Sequence, residues 1–281
     1  MPPQKELRFF SEKIGESPGR HLLIDDNYRQ KRRIAGMPNS LIEYSELFKE
    51  GKFHKALGEA SPEYVHSERA ARQIHRVIPA VRLIVSLRRP SDRAYSLYQM
   101  AHRSMSSLDF ASAFRMGKNE PWVRSIFSHD QMRLYYDLFD SSQIKPIKFD
   151  DLAVSTDRAL KGLFEFLGVA SDFQIPQIEI HNEGGYWRSS TVGSLFRAFR
   201  ANWAVSNFAK QVLPKSVWKM AKKVEKKNRR PAPRLDEELR YEVDEYYRGD
   251  TLKLQDLVGL DLSSWLQEKD PGAESHSPPS E

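Results

Sequence analysis

The residues best suited to chemistry lie in the string LRRPSDRAYSLY, Leu87 to Tyr98. Arg88 follows a run of apolar, β-branched residues, and Ser96 comes eight residues later, inside the first turns of what reads as a helix. Ligands of open α/β sheets collect at the carboxyl ends of strands, where the free N–H groups and dipole of a helix amino terminus favour an anion. A guanidinium and a hydroxyl converging on that place make a pocket for a phosphate. An arginine after a strand is also often a surface ion-pair partner, and spacing alone leaves that alternative open.

The elements that must position these two residues are legible around them. Glu68 to Val77 spaces Ala71, Ile74 and Val77 on one helix face, Pro79 punctuates, and Val81 to Leu87 reads as a buried strand. Pro90 sits where a helix begins, and Ala94, Leu97, Tyr98 and Ala101 keep helical spacing up to Arg103. A long helical region is expected from Ser107 to Phe139, then a short strand from Ile144 to Phe149 and a helix from Thr156 to Leu167 that Gly168 stops. Two strand-then-helix cycles predict an α/β fold with parallel strands. Residues 1–58 mix helical and irregular signals, with a loop around Asn27 to Gly36. Leu235 to Leu266 returns to helix. Residues 1–268 are expected to form a single domain, and 269–281 a disordered tail rich in Pro, Ser and Glu.

Composition narrows the function. A chain of 281 residues, 40% hydrophobic and 29% charged, can bury one substantial core. It has no cysteine, which removes disulfides and cysteine-ligated metals and fits a reducing compartment. Its eight histidines show no metal-ligand spacing, so no metal is expected. The opening MPPQKELRFF carries no signal-peptide run, and no stretch approaches the roughly 20 apolar residues of a membrane span. A cytoplasmic protein without stable membrane insertion is therefore expected. The net charge of +6 favours anionic partners. Residues 215–230 hold eight Lys or Arg and one acid, Glu225; a solvated face, a lid and an anionic-acceptor surface all fit. No nucleic-acid partner is expected, because the basic and aromatic residues form no known reader motif.

The Leu87 to Tyr98 string resembles the element of nucleotide-dependent sulfotransferases usually written L-R-D-P-x-x-R-A-x-S-x-Y, which binds the 3′-phosphate of the sulfuryl donor. Arg88 and Ser96 match its two phosphate ligands and Arg93 its second arginine, while Arg89 stands where the family commonly has Asp. Other segments resemble the family in the same order. KELRFF, Lys5 to Phe10, is similar to K-E-x-x-F-F of the glycan-modifying and bacterial members, and the resemblance makes Glu6 the base for the acceptor. Glu6 as a solvated charge near a terminus is the competing reading. GEASPEYV, Gly58 to Val65, resembles G-E-x-S/T-P-x-Y, with Ala60 in place of the common Lys; Glu59 and Ser61 could equally cap a helix after Pro62. KFDDL and LFEFLGV, at Lys148 to Leu152 and Leu163 to Val169, are similar to the family's Y-E-D-L strand end and following helix. In HNEGGYWRS, His181 to Ser189, Arg188 is the candidate to approach the nucleotide; Tyr186 and Trp187 fit either adenine stacking or packing. The closing NRRPAP and YEVDEYYRGDTLKLQDLVGLDLSSWL resemble the carboxyl-terminal part of bacterial members.

The resemblance implies a P-loop-type parallel sheet flanked by helices and transfer of a sulfuryl group from 3′-phosphoadenosine-5′-phosphosulfate, without a metal. The acceptor would be a hydroxyl or amine on a saccharide or another small molecule. No G-x-x-K-x-G-T-T/S string, which in the family wraps the 5′-phosphosulfate, occurs in the sequence, and SPGRH at Ser17 to His21 lacks its Lys and Thr pair. The fold is accordingly expected to miss its first strand and that loop. A start placed too late is the favoured explanation. A catalytically inactive remnant binding adenosine 3′,5′-bisphosphate or an anionic glycan is the alternative. As it stands, the chain is expected to show negligible transfer.

Overall fold

The computed structural model describes residues 6–11, 38, 40–101, 109–172, 185–187, 229–231 and 233–266. The loop expected at Asn27 to Gly36, the basic segment 215–228 and the tail 269–281 lie outside the described residues.

The helix expected after Ser67 forms as α2 (Glu68–Val77), following the short α1 (Leu41–Glu46). The Ser67 hydroxyl caps α2 by accepting from the Ala70 N–H, and Ala70, Ala71 and Ile74 are buried. Strand β1 (Leu83–Leu87) leads into α3 (Pro90–Ala101), whose proline occupies the first helical turn. The region expected as one long helix is broken into α4 (Phe110–Met116), α5 (Pro121–Arg124) and α6 (His129–Leu138). Two residues account for the first break: Gly117 terminates α4, and Pro121, which lacks an N–H, starts α5. Strand β2 (Ile144–Lys148), α7 (Phe149–Val154) and α8 (Thr156–Leu167) follow, and α8 stops at Gly168 with φ of 68°.

β1 and β2 pair in parallel, Leu83 opposite Ile144 and Leu87 opposite Lys148. The crossover between them comprises α3 to α6, as a parallel connection requires. β1 is not buried on both faces as expected: Leu87 is buried, whereas Ile84 and Ser86 on the opposite face are exposed. Residues 185–187 (β3) and 229–231 (β4) pair antiparallel. The carboxyl-terminal helical stretch divides into α9 (Glu237–Tyr246) and α10 (Arg248–Val258), which Gly259 ends at φ of 66°.

Two apolar clusters result, and the α9–α10 pair reaches both. Leu254 and Val258 of α10 join Leu87, Ile144, Ile74, Met132 and Tyr135 beneath the sheet, together with Phe9 and Phe10. Val243 and Tyr247 join Ala94 and Tyr98 of α3 and Phe110 and Phe114 of α4. Each helix of the pair also sends a carboxylate to the start of another helix. Asp244 accepts from the Ser91 N–H at 2.9 Å, and Asp250 from the N–H groups of Ser128 and His129 at 2.8 and 3.1 Å. The amino termini of α3 and α6 are thus capped from 153 and 122 residues away, respectively.

Arg93 ties the same elements together from inside. Its guanidinium donates to the Ser128 hydroxyl at 2.9 Å and meets the His66 Nε2 at 3.1 Å. A guanidinium has only donors, so that ring nitrogen must be the acceptor and His66 must be neutral. Burial first, and Arg93 second, push the imidazole down to about 4, although the His66 residue as a whole remains exposed and solvent screens part of the effect. A folded value below the unfolded one of about 6.5 contributes stability above that pH, which is lost as pH falls through 6.5 towards 4. The melting temperature is expected to drop between pH 7 and pH 4.5 by less in His66→Gln than in the parent; identical curves from parallel thermal melts would exclude this role.

Candidate functional site

Arg88 and Ser96 stand where the strand–turn–helix reading puts them. Arg88 is the first residue beyond β1, and its side chain lies over the ring of Phe149 at 5.1 Å from the centroid. Phe149 is the first residue beyond β2, so the two parallel strand ends bring cation and ring together, and that ring is 44% exposed. No carboxylate pairs with Arg88 among the described residues. Ser96, the seventh residue of α3, is exposed and its hydroxyl makes no hydrogen bond among the described residues. Arg88 is thus half-buried at the strand end, and Ser96 is exposed in the second turn of α3.

Arg89 behaves differently from its neighbour. Its Nε lies 2.6 Å from the Asp244 carboxylate, and the side chains are only 15% and 6% exposed. The same carboxylate accepts from the Ser91 hydroxyl at 2.9 Å in addition to the Ser91 N–H. Beside it, Arg240 reaches Asp92 at 2.8 Å. Burial, the largest influence, pushes the Asp244 carboxyl above its usual range, while Arg89 and the Ser91 donors oppose it. The Arg93 N–H bonds to the Arg89 carbonyl at 3.0 Å, so Arg89 occupies the N-cap of α3. An Arg cannot supply the side-chain oxygen that position calls for, and Asp244 supplies it instead. The signal was present in the sequence: an arginine before Pro90, where a capping aspartate is usual, implies an acceptor arriving from elsewhere.

Residues 6–11 form the second part of the site. Leu7, Phe9 and Phe10 are buried, which leaves Glu6 and Arg8 facing outward. The Arg8 guanidinium bridges two carboxylates, 3.1 Å from Glu6 and 3.0 Å from Glu63. Glu6 is therefore in an ion pair, half open to solvent, and neither lone nor buried. Both Glu6 and Arg8 have positive φ, 56° and 54°, a conformation that non-glycine residues rarely adopt and that costs of order 1 kcal/mol or more each.

Glu59 holds that backbone in place. Its carboxylate accepts from the hydroxyls of Tyr64 at 2.8 Å and of Tyr44 and Ser61 at 3.1 Å. Ser61 in turn accepts from the Arg8 N–H at 3.1 Å, and Tyr64 from the Phe10 N–H at 3.4 Å. Burial, then the Glu59 charge, drives both tyrosine hydroxyls to higher pKa, so they stay protonated donors. Ser61 makes no side-chain bond to the helical turn after Pro62, and the capping alternative for Glu59 and Ser61 is replaced by this hub.

No hydrogen bond or ion pair joins Glu6 to Arg88 or Ser96 among the described residues. Arg188 lies outside the described residues; Tyr186 and Trp187 are placed by backbone alone, opposite Arg230 and Arg229. No group of three or more His, Cys, Asp or Glu able to hold a metal occurs among the described residues, and no helix among them is long and apolar enough to cross a membrane.

The sequence and the fold have known counterparts. The chain is 25% identical over 232 residues to bifunctional heparan sulfate N-deacetylase/N-sulfotransferase 3 of Mus musculus, and 24% identical over 231 residues to number 4 of the same organism. Each alignment covers 76% of this chain but 24% of the relative, so the chain spans about a quarter of the length of these relatives. Among solved structures, a sulfotransferase from Alicyclobacillus acidocaldarius superposes with a TM-score of 0.62 at 21% identity, covering 95% of this chain and 87% of the other, which establishes the shared fold. The family model described as "Sulfotransferase family" matches residues 6–173, more than half of the chain, and this protein belongs to that family.

Proposed function

We propose that this chain binds 3′-phosphoadenosine-5′-phosphosulfate and passes its sulfuryl group to a hydroxyl or amine of a saccharide or another small acceptor. The observation that carries the reading is the Arg88 guanidinium, half-buried over Phe149 at the carboxyl end of β1 with no carboxylate partner among the described residues. A dianionic 3′-phosphate fits such a cation, and the Ser96 hydroxyl on α3 is the second ligand. Relatives named for action on heparan sulfate support a glycan acceptor.

The donor contributes the activated sulfuryl group; the residues of this chain orient it and move one proton. As the acceptor oxygen or nitrogen attacks sulfur, the bond from sulfur to the 5′-phosphate oxygen breaks, and adenosine 3′,5′-bisphosphate leaves. Glu6 takes the acceptor proton, an exchange that requires its carboxylate to turn from Arg8 towards the acceptor. Arg8 remains tied to Glu63 while this happens, so the pairing is exchanged and not lost. Arg188 is assigned to the nucleotide on the sequence resemblance.

Arg88→Ala is expected to weaken adenosine 3′,5′-bisphosphate by about 10- to 100-fold, from a charge-assisted contact of about 1.5–3 kcal/mol, and to leave adenosine 5′-phosphate almost unchanged. Calorimetry showing equal losses for both nucleotides would remove Arg88 from the 3′-phosphate.

Glu6→Gln keeps size and removes basicity. In the chain supplied with a G-x-x-K-x-G-T-T loop, it is expected to lower turnover of labelled sulfate by about 10²–10⁴-fold at saturating substrates, with donor affinity preserved. An unchanged rate would pass the base role to Glu63, the other carboxylate on Arg8, because Glu59 is already committed to three hydroxyls.

A further inference from the structure

We propose that Asp244 is a positioning residue for the nucleotide site: by capping α3 and holding Arg89, it keeps Arg88 aimed at the 3′-phosphate. The inference rests on the phosphate reading of Arg88 given above and extends it to a residue 156 positions further along the chain.

Arg88 lies between two fixed neighbours. On one side Leu87 is buried and held opposite Lys148 in the parallel ladder. On the other, Arg89 is pinned to Asp244 at 2.6 Å, and Ser91, fully buried, gives that carboxylate both its N–H and its hydroxyl. The backbone at Arg88 therefore has little freedom, and its side chain is left to the open side over Phe149. Asp244 also determines which of two adjacent arginines meets the ligand. With its carboxylate in place, Arg89 is neutralised inside the fold, and Arg88 is left over Phe149 without a carboxylate partner among the described residues. An unpaired Arg89 next to the amino terminus of α3 would draw an anion into a different position.

The arrangement is one member of a pair of equivalents. An aspartate at position 89 would sit at the N-cap of α3 and could accept from the Ser91 N–H within its own helix. An arginine at position 244 would then restore the ion pair with the charges exchanged. The double exchange Arg89→Asp with Asp244→Arg thus keeps cap, pair and the orientation of Arg88, whereas either single change leaves two like charges facing each other in a buried place.

The test is the ratio of affinities for adenosine 3′,5′-bisphosphate and adenosine 5′-phosphate, measured by calorimetry on the full chain. A residue that merely stabilised the fold would change melting temperature and both affinities, and leave the ratio alone. Asp244→Asn is expected to lower the ratio about tenfold, or about 1.4 kcal/mol. Arg89→Gln, which leaves Ser91 capped and so keeps the chain folded, is expected to lower it about threefold. The double exchange is expected to return it to within about twofold of the parent. A ratio that stays constant or rises in Asp244→Asn and Arg89→Gln, or a double exchange as poor as Asp244→Asn, overturns the proposal. Arg88→Ala run alongside separates the two levels. If it leaves the ratio intact, or the parent shows no preference for the bisphosphate, the phosphate reading falls and this proposal with it. If Arg88→Ala abolishes the ratio and the Asp244 and Arg89 variants do not alter it, only the positioning role is lost.

Discussion

The carboxylate of Asp244 is the constraint on which the front of this molecule depends. A helix whose N-cap is Arg89 has free N–H groups and no side-chain oxygen at that position to satisfy them. Asp244 meets the Ser91 N–H, the Ser91 hydroxyl and the Arg89 guanidinium together. Buried ion pairs of this sort add little net stability, since desolvation offsets most of the Coulomb gain, yet removing one partner costs about 3–5 kcal/mol. Its effect is therefore one of location. It joins α9 to α3, and through them the second apolar cluster to the end of β1.

The Glu59 hub does the same for the residues around Glu6, with uncharged donors. Three hydroxyls converge on one carboxylate, and two of them pass the restraint on to backbone N–H groups at Arg8 and Phe10. A backbone with two left-handed non-glycine residues persists only where its surroundings over-determine it. Buried Leu7 between them, stacking of Phe9 on Tyr44 at 4.7 Å, and the Arg8 bridge supply the remaining restraints. The strain collects beside an exposed carboxylate, Glu6.

Much of this could be read from the sequence because it is written locally. The limits of α2 and α8, the start of α3 at Pro90 and the stop at Gly168 follow from caps, prolines and glycines acting within a few residues. The parallel pairing followed from two strand-then-helix cycles. What escaped was contact across sequence distance. No local pattern links Arg89 to Asp244 or Arg8 to Ser61, and Glu59 looks like an ordinary helix-start residue until two tyrosines are folded onto it. The break of the expected long helix was legible in Gly117 and Pro121. The open face of β1 was not legible, because an apolar run reads the same whether or not both faces are covered.

The two caps supplied by Asp244 and Asp250 also impose an order in time. During synthesis, α3 and α6 leave the ribosome more than a hundred residues before the carboxylates that complete their first turns. Until then, neither segment has the carboxylate that completes its first turn, and Arg89 lacks its counter-charge. The strand end at Arg88 is thus completed only once Asp244 has been made, and a transcript that ends before codon 244 yields a chain that contains the Leu87 to Tyr98 string but lacks the carboxylate that caps its helix.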